Sequence, residues 1–335
     1  MVFVERDNYE EYKTNLFVKG AMGCVTAEDE SNIYDTNIPL SAVRERFERE
    51  TVEFWNDSAT NPETGETIID ESVSKIVRAS DKHVFGKRGS DVPERQYDYL
   101  VDLAAGITGE SPGDLHVKAA GTTRSGGRAY VQISTDNVLK VAGMEYEPYI
   151  MFGMSHDQSL AITSVTGTNV VVCSNMVSAL FGKQAVRKAK TRQTKNATDE
   201  LIITRHSIML QLEQQADEFD KAIQELSETV VTDKQIDAFL DEIAPLDIDS
   251  QNMQTRNESF RAEFKVMANQ DERASEWYGT KLGMVQALNS LDIWNRGTRK
   301  NSDPLTRMYD ETLDQTRFKR EGNTLALIDK VMATV

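Results

Sequence analysis

Ser155, His156 and Asp157 are adjacent in the chain and supply a hydroxyl, an imidazole and a carboxylate, the residue types of a nucleophilic triad. A triad works by convergence in space, and three neighbours in one tight stretch do not readily aim at a single reacting atom. The same residue types also organise turns, since short polar side chains bond to nearby backbone groups. Ser155, His156 and Asp157 are therefore read as turn-organising or ligand-contacting residues. Cys173 closes an apolar run and reads as a small buried residue ahead of a nucleophile. Asn175 joins the turn or ligand set, as a helix cap first and a ligand contact second. No catalytic residue is assigned.

A second kind of chemistry is electrostatic. From Phe181 to Thr198 the chain carries Lys183, Arg187, Lys188, Lys190, Arg192 and Lys195 and no Asp or Glu, within a protein of formal net charge −16. Such a local reversal fits a polyanion, while the overall acidity argues against indiscriminate adhesion to nucleic acid or anionic membrane. Arg124 and Arg128 flank Ser125-Gly126-Gly127 and extend the cationic set. On a 3.6-residue wheel Val177, Phe181 and Ala185 share one stripe, and Lys183, Arg187 and Lys190 fall opposite. The bland reading of charge blocks is a solvated face, and it stays open.

Other site chemistries find little support. His83, His116, His156 and His206 lack paired zinc spacing, and Cys24 and Cys173 do not supply it, so no metal or cofactor is expected. Gly121 to Gly127 matches neither phosphate-binding glycine pattern and reads as a flexible hairpin. Trp277, Tyr278 and Trp294 could stack bases, but aromatics at helical spacing usually belong to a core.

These residues need elements to hold them. A chain of 335 residues exceeds one ordinary core, and 39% hydrophobic with 27% charged residues is the composition of a soluble globular protein. Apolar spacing predicts a helix over Ser41 to Trp55, then a turn-rich stretch from Asn56 to Gly65. A second helix is expected from Pro93 to a stop at Gly106. Strands are expected over Ala129 to Ser134, Val138 to Val141, Pro148 to Met154, Leu160 to Val165 and Asn169 to Cys173, as an antiparallel meander. The rest reads as helical: a helix bearing the basic face, one over Thr198 to Glu228, one capped by the box Thr232 to Gln235, and one over Ser275 to Leu291. The fold class is α+β, with an α+β domain over 1–195 and a helical region over 196–335. Two cysteines, no signal-like N-terminus and no long apolar run give a soluble, cytoplasmic protein that does not enter a membrane.

The order Met154-Ser155-His156-Asp157-Gln158-Ser159, Val172-Cys173-Ser174-Asn175, Val231-Thr232-Asp233 with Phe239-Leu240, and Gly279-Thr280 with Gly283 and Asp292 resembles a phage/plasmid-like protein family. That family is catalogued as a domain of unknown function, and its segments read N-S-H-D-G-S, V-V-C-x-N, a T-D capped helix and G-x-x-N-A. Met154, Gln158 and Gln286 depart from the pattern. The resemblance covers roughly Gly127 to Asp292 and implies a mobile-element origin without an activity. A β meander entering a cationic helix also resembles, in architecture, the single-strand annealing proteins. That likeness implies a positively charged groove for a single strand, in which Arg124, Arg128, Lys183, Arg187 and Lys190 would neutralise phosphates. The function expected is therefore binding of single-stranded DNA in annealing or recombination, in a chain that can form a homo-oligomer. A phage-encoded factor that modulates a host protein, and an enzyme, remain as alternatives.

Overall fold

Between Leu115 and Val170 the chain is rich in β-branched and aromatic residues in short runs, and these runs pair into one sheet. A computed structural model describes residues 15–18, 32–110, 115–135, 138–170, 189–191, 219–270, 276–292, 304–314 and 316–334. The fold is α+β, and it groups into two compact units. Unit 1 comprises Met1–Asn137, Tyr149–Thr166 and Arg187–Gln211; unit 2 comprises Val138–Pro148, Gly167–Val186 and Leu212–Val335. The expected boundary between 195 and 196 lies outside the described residues.

Chain order in the first half is β1 (Leu16–Val18), β2 (Ile33–Tyr34), α1 (Leu40–Glu48), β3 (Val52–Thr60), β4 (Thr67–Arg78), β5 (Val84–Gly89) and α2 (Asp98–Glu110). There follow β6 (Leu115–Thr123), β7 (Arg128–Thr135), β8 (Leu139–Val141), β9 (Met144–Ser155), β10 (Ile162–Val170) and β11 (Ala189–Thr191). The main sheet has the order β11-β10-β9-β7-β6-β1-β2, with β8 paired to β9. β1 pairs with β2 in parallel, whereas β1–β6, β6–β7, β7–β9, β8–β9 and β10–β11 are antiparallel. In unit 1, α1 and α2 pack on one another and on β6. They bury Val43, Phe47, Leu100, Val101 and Ala104, and large apolar side chains so buried contribute about 1.5–3 kcal/mol each.

A separate three-stranded sheet, β3-β4-β5, corrects the reading of its segment. The helix at Ser41 stops at Glu48, and Val52 to Trp55 begin a strand that runs through Asn56 to Thr60. Glu53, Trp55 and Asp57 alternate with Val52, Phe54 and Asn56, a period of two that the helical template had absorbed. Two neighbouring expectations also shift. The helix expected from Pro93 begins at Asp98 and runs through Gly106 to Glu110. The strands expected at Leu160 and Asn169 are one strand, since Thr166 to Thr168 continue β10 instead of turning.

In unit 2 the hairpin β8–β9 turns at Ala142 and Gly143, both left-handed at φ 48° and 76°. Val141, Met144 and Tyr146 pack with Phe219, Ile223, Leu226, Trp277 and Leu282. Residues 219–228 are helical, and the remaining helices are α3 (Asp233–Ile243), α4 (Gln251–Gln270), α5 (Lys281–Ser290), α6 (Pro304–Asp314) and α7 (Thr316–Thr334). The Thr232 box forms as its sequence dictates: the Thr232 side chain accepts from Gln235 N, and the Gln235 side chain accepts from Thr232 N. Helix α5 starts at Lys281 and not at Ser275. Thr280 caps it by accepting from Gly283 N, and Trp277 lies buried ahead of the cap. A second core joins Phe239, Leu240, Phe264, Met284, Leu291 and Ile328.

Candidate functional site

The turn between β6 and β7 is where unit 1 strains its backbone most. Arg124, Ser125 and Gly126 are left-handed in succession, at φ 56°, 54° and 83°. A Cβ makes that conformation cost roughly 1–2 kcal/mol per residue. Such strain persists where the surroundings over-determine the backbone, and here each carbonyl of the turn has a donor. Gly127 N donates to Arg124 O at 3.0 Å, and Arg78 Nη1 to Ser125 O at 2.8 Å. The Tyr97 hydroxyl donates to Gly126 O at 2.8 Å, and His156 N to Gly127 O at 2.9 Å. Arg124 is thereby fixed at the tip, exposed to solvent.

The donors are held in turn. Arg78 bridges Glu50 at 2.8 Å and Asp81 at 2.7 Å, Glu50 pairs with buried Arg46 at 3.5 Å, and Arg46 donates to Thr122 Oγ1 at 2.7 Å. The Arg78 guanidinium draws the Asp81 carboxyl well below the usual range, whereas burial lowers Arg46. Burial raises the Tyr97 hydroxyl well above its ordinary value, which keeps it a donor.

Beside the turn lies the β9–β10 connection, where Ser155, His156 and Asp157 serve three different partners. Ser155 Oγ donates to Leu160 O and accepts from Leu160 N, both at 2.9 Å. Asp157 Oδ1 accepts from Ser159 N at 2.9 Å and also from the Ser159 hydroxyl. His156 instead stacks on Tyr97 at 3.9 Å between ring centroids, with Phe85 at 6.0 Å. It is 2% exposed, and burial lowers its pKa to about 3 against the opposing pull of Asp157. The ring is neutral at physiological pH, and its Nε2 has no hydrogen-bond partner among the described residues. No nucleophile is paired with a base in this arrangement.

Arg128 departs from the expected cationic set. It is 2% exposed and donates from Nε to Ser159 Oγ at 2.7 Å and from Nη2 to Ser159 O at 3.3 Å, so it braces the connection from within and presents no charge to solvent. Lys190 needs a correction of a different kind. It lies on strand β11, opposite Thr163 of β10, and not on a helix. Pairing with the open edge of the sheet outweighs helical periodicity there, and lysine on an edge strand discourages further pairing. Lys183, Arg187, Cys173 and Asn175 lie outside the described residues.

Topology brings several of these positions together. The turn 124–127 joins β6 to β7; Ser155 pairs with Arg128 at that end, and Thr191 pairs with Ile162 where β10 begins. Arg124, the 156–161 connection and the close of β11 therefore share one end of the main sheet. Lys82 and Gln158 are also left-handed, at φ 61° and 60°, so among the described residues four of the five left-handed non-glycine residues belong to the turns of unit 1. At Gln158 the resembled pattern has glycine, the residue for which that φ is free of cost. Sequence reasoning missed Arg78 and Tyr97, which fix the turn, and Trp55 with Lys82. The signal that could have found the latter pair was the alternation through β3.

Among the described residues no helix is long and apolar enough to cross a membrane. Nor do three or more His, Cys, Asp or Glu side chains among them form a group that could hold a metal ion. No curated protein and no solved structure matches the chain. A family model does match, over residues 96–313, which takes in α2, the sheet from β6 onward and the helices through α6. The chain belongs to the family described as domain of unknown function DUF932.

Proposed function

We propose that this protein binds single-stranded nucleic acid at the turn end of the main sheet, as a mobile-element protein acting in annealing or recombination. The observation that carries the reading is the strained, fully braced turn that holds Arg124 in solvent, at the sheet end where the strand bearing Lys190 closes. Lys190 belongs to the run of six cations without a carboxylate, Lys183 to Lys195. Strain of this kind is maintained where a side chain has to be held in place. A single strand is the fitting polyanion because neutralising its backbone needs no base readout and tolerates an irregular groove.

The test is titration of an oligo-thymidine strand at several salt concentrations. Contact with about three to five phosphates gives a slope of log affinity on log salt of roughly −2 to −3.5. Exchange of Lys183, Arg187 and Lys190 for Glu, or of Arg124 for Glu, should weaken binding and shrink the slope while the fold persists. Absence of binding by the unaltered protein at low salt overturns the reading.

One observation favours a protein partner as a second reading. The tip of the β3–β4 hairpin carries Glu63, Glu66, Asp70 and Glu71 with no cation between them, and Ile68 and Ile69 are 68% and 58% exposed. An acidic arm with exposed isoleucines suits a basic protein surface with an apolar centre.

A further inference from the structure

The three-stranded sheet of unit 1 has one face that no family property accounts for, since the matched residues begin only at Gln96. On that face Trp55, Lys75 and Lys87 stand in one row across β3, β4 and β5, as the registers Trp55 with Lys75 and Lys75 with Lys87 require. Trp55 is 47% exposed on a strand, an unusual position for the largest side chain, whereas Trp277 is buried. Lys82 Nζ lies over the indole, 5.6 Å from the ring centroid, and pairs with Glu53 at 3.0 Å. Trp55 Nε1 donates to the same Glu53 carboxylate at 2.9 Å, which fixes the plane of the ring. Lys75 pairs with Asp57 at 3.0 Å, and Lys87 holds the other oxygen of that carboxylate, drawing its pKa to about 2 together with Lys75.

Lys75, Lys82 and Lys87 thus gather around the ring, each paired with Glu53 or Asp57, while Asp70 stands opposite Asp57 further along the hairpin. An oriented, half-exposed aromatic ring among cations is the arrangement that accepts an unpaired base, with the ring covering the base and the lysines beside the phosphates. The face is tied to the Arg124 turn by short links. Lys82 N donates to Arg78 O at 3.0 Å, and Arg78 Nη1 donates to Ser125 O at 2.8 Å.

We infer that Trp55 is a stacking platform for an unpaired base of a single strand, flanked by Lys75, Lys82 and Lys87. The inference rests on the proposed function and adds a specific subsite to it. It also makes the β3-β4-β5 sheet the part of this chain that discriminates a base-bearing strand from a bare polyanion.

The test compares the full chain with Trp55→Ala and Trp55→Phe, using an oligo-thymidine strand and an abasic strand of equal length and charge. Trp55→Ala should lower affinity for oligo-thymidine roughly five- to 150-fold, the worth of stacking one base on an aromatic side chain. Affinity for the abasic strand should stay unchanged, and Trp55→Phe should keep most of the oligo-thymidine affinity. Because Trp55 is half-exposed, near-ultraviolet and far-ultraviolet circular dichroism of the variants should show an intact fold outside the indole signal. Equal binding of oligo-thymidine by Trp55→Ala and the unaltered chain overturns the platform and leaves the proposed function standing. Equal losses toward both strands also overturn it, since the ring then contributes no base contact. If the unaltered chain binds neither strand, the proposed function fails and the platform with it.

Discussion

His156 shows how a residue chosen for its chemistry is instead used for its shape. Its neutral ring fills the space between Tyr97 and Phe85, and the cost of charging it there becomes a dependence of stability on pH. The folded pKa, about 3, lies below the ordinary 6.5, so between those values the unfolded chain binds a proton that the folded chain does not. Stability is therefore fully present above about pH 6.5 and falls as pH is lowered toward 3. Between pH 6.5 and 5, before most carboxylates titrate, the loss should be about 2 kcal/mol. Denaturant unfolding across that window tests it. His156→Phe keeps an aromatic ring and should flatten the curve; an equal slope in both proteins would assign the effect to other groups. Gln158 makes a complementary case, because its left-handed backbone is costly for any residue with a Cβ. The saving of roughly 1–2 kcal/mol in Gln158→Gly is partly offset by about 0.5–1 kcal/mol of added unfolded-chain freedom. The variant should melt slightly higher, and a lower melting temperature would show that the Gln158 side chain contributes more than the strain removes.

At the scale of elements, what the sequence made legible was whatever is encoded locally. The box at Thr232 is the clearest example, since cap, reciprocal glutamine and the apolar residues Ile236, Phe239 and Leu240 all lie within three turns. Thr232→Ala removes the hydroxyl arm of the box, leaves the Gln235 side chain accepting from the backbone N of residue 232, and should cost about 1 kcal/mol, measured by chemical denaturation of the full chain. No loss would mean that packing of α3 on its neighbours alone defines its start. The meander was legible for the same reason, through its β-branched runs. The β3-β4-β5 sheet was not, because Val43, Phe47 and Phe54 mimic a helical stripe and the three strands declare themselves only through their pairing with one another. The Lys190 stretch failed in the same way: a wheel can be drawn through any segment, and pairing with β10 is invisible to it. The candidate site was half legible. Arg124, Ser155, His156 and Asp157 stand at the turn end of the sheet, but their braces, Arg78, Tyr97 and Glu50, come from distant parts of the chain. The burial of Arg128 likewise depends on Ser159 meeting it across two strands.

For the whole molecule, the net charge of −16 and a local set of cations act on a nucleic acid over different distances. In the proposed complex, contacts at Arg124 and the basic run would act at a few ångströms and strengthen steadily as salt is removed. Repulsion from the rest of the protein acts across the Debye length, about 10 Å at 0.1 M salt and about 30 Å at 0.01 M, so it grows only when salt becomes scarce. The two together should bend the salt dependence of oligo-thymidine binding. Above about 0.1 M the slope should be the −2 to −3.5 expected of three to five phosphates. Toward 0.01 M the curve should flatten, because each further dilution strengthens both attraction and repulsion. The acidic arm offers a way to separate them, since Glu63, Glu66, Asp70 and Glu71 are exposed and among the described residues none of them shares an ion pair with the turn end of the sheet. Replacing them by Gln, Gln, Asn and Gln should raise affinity at 0.01 M and straighten the curve, with little change at 0.15 M. Fluorescence anisotropy over that range makes the measurement. A straight line of constant slope for the unaltered protein would show that long-range repulsion is absent at the bound strand, and a gain at 0.15 M as large as at 0.01 M would place the arm in direct contact with it.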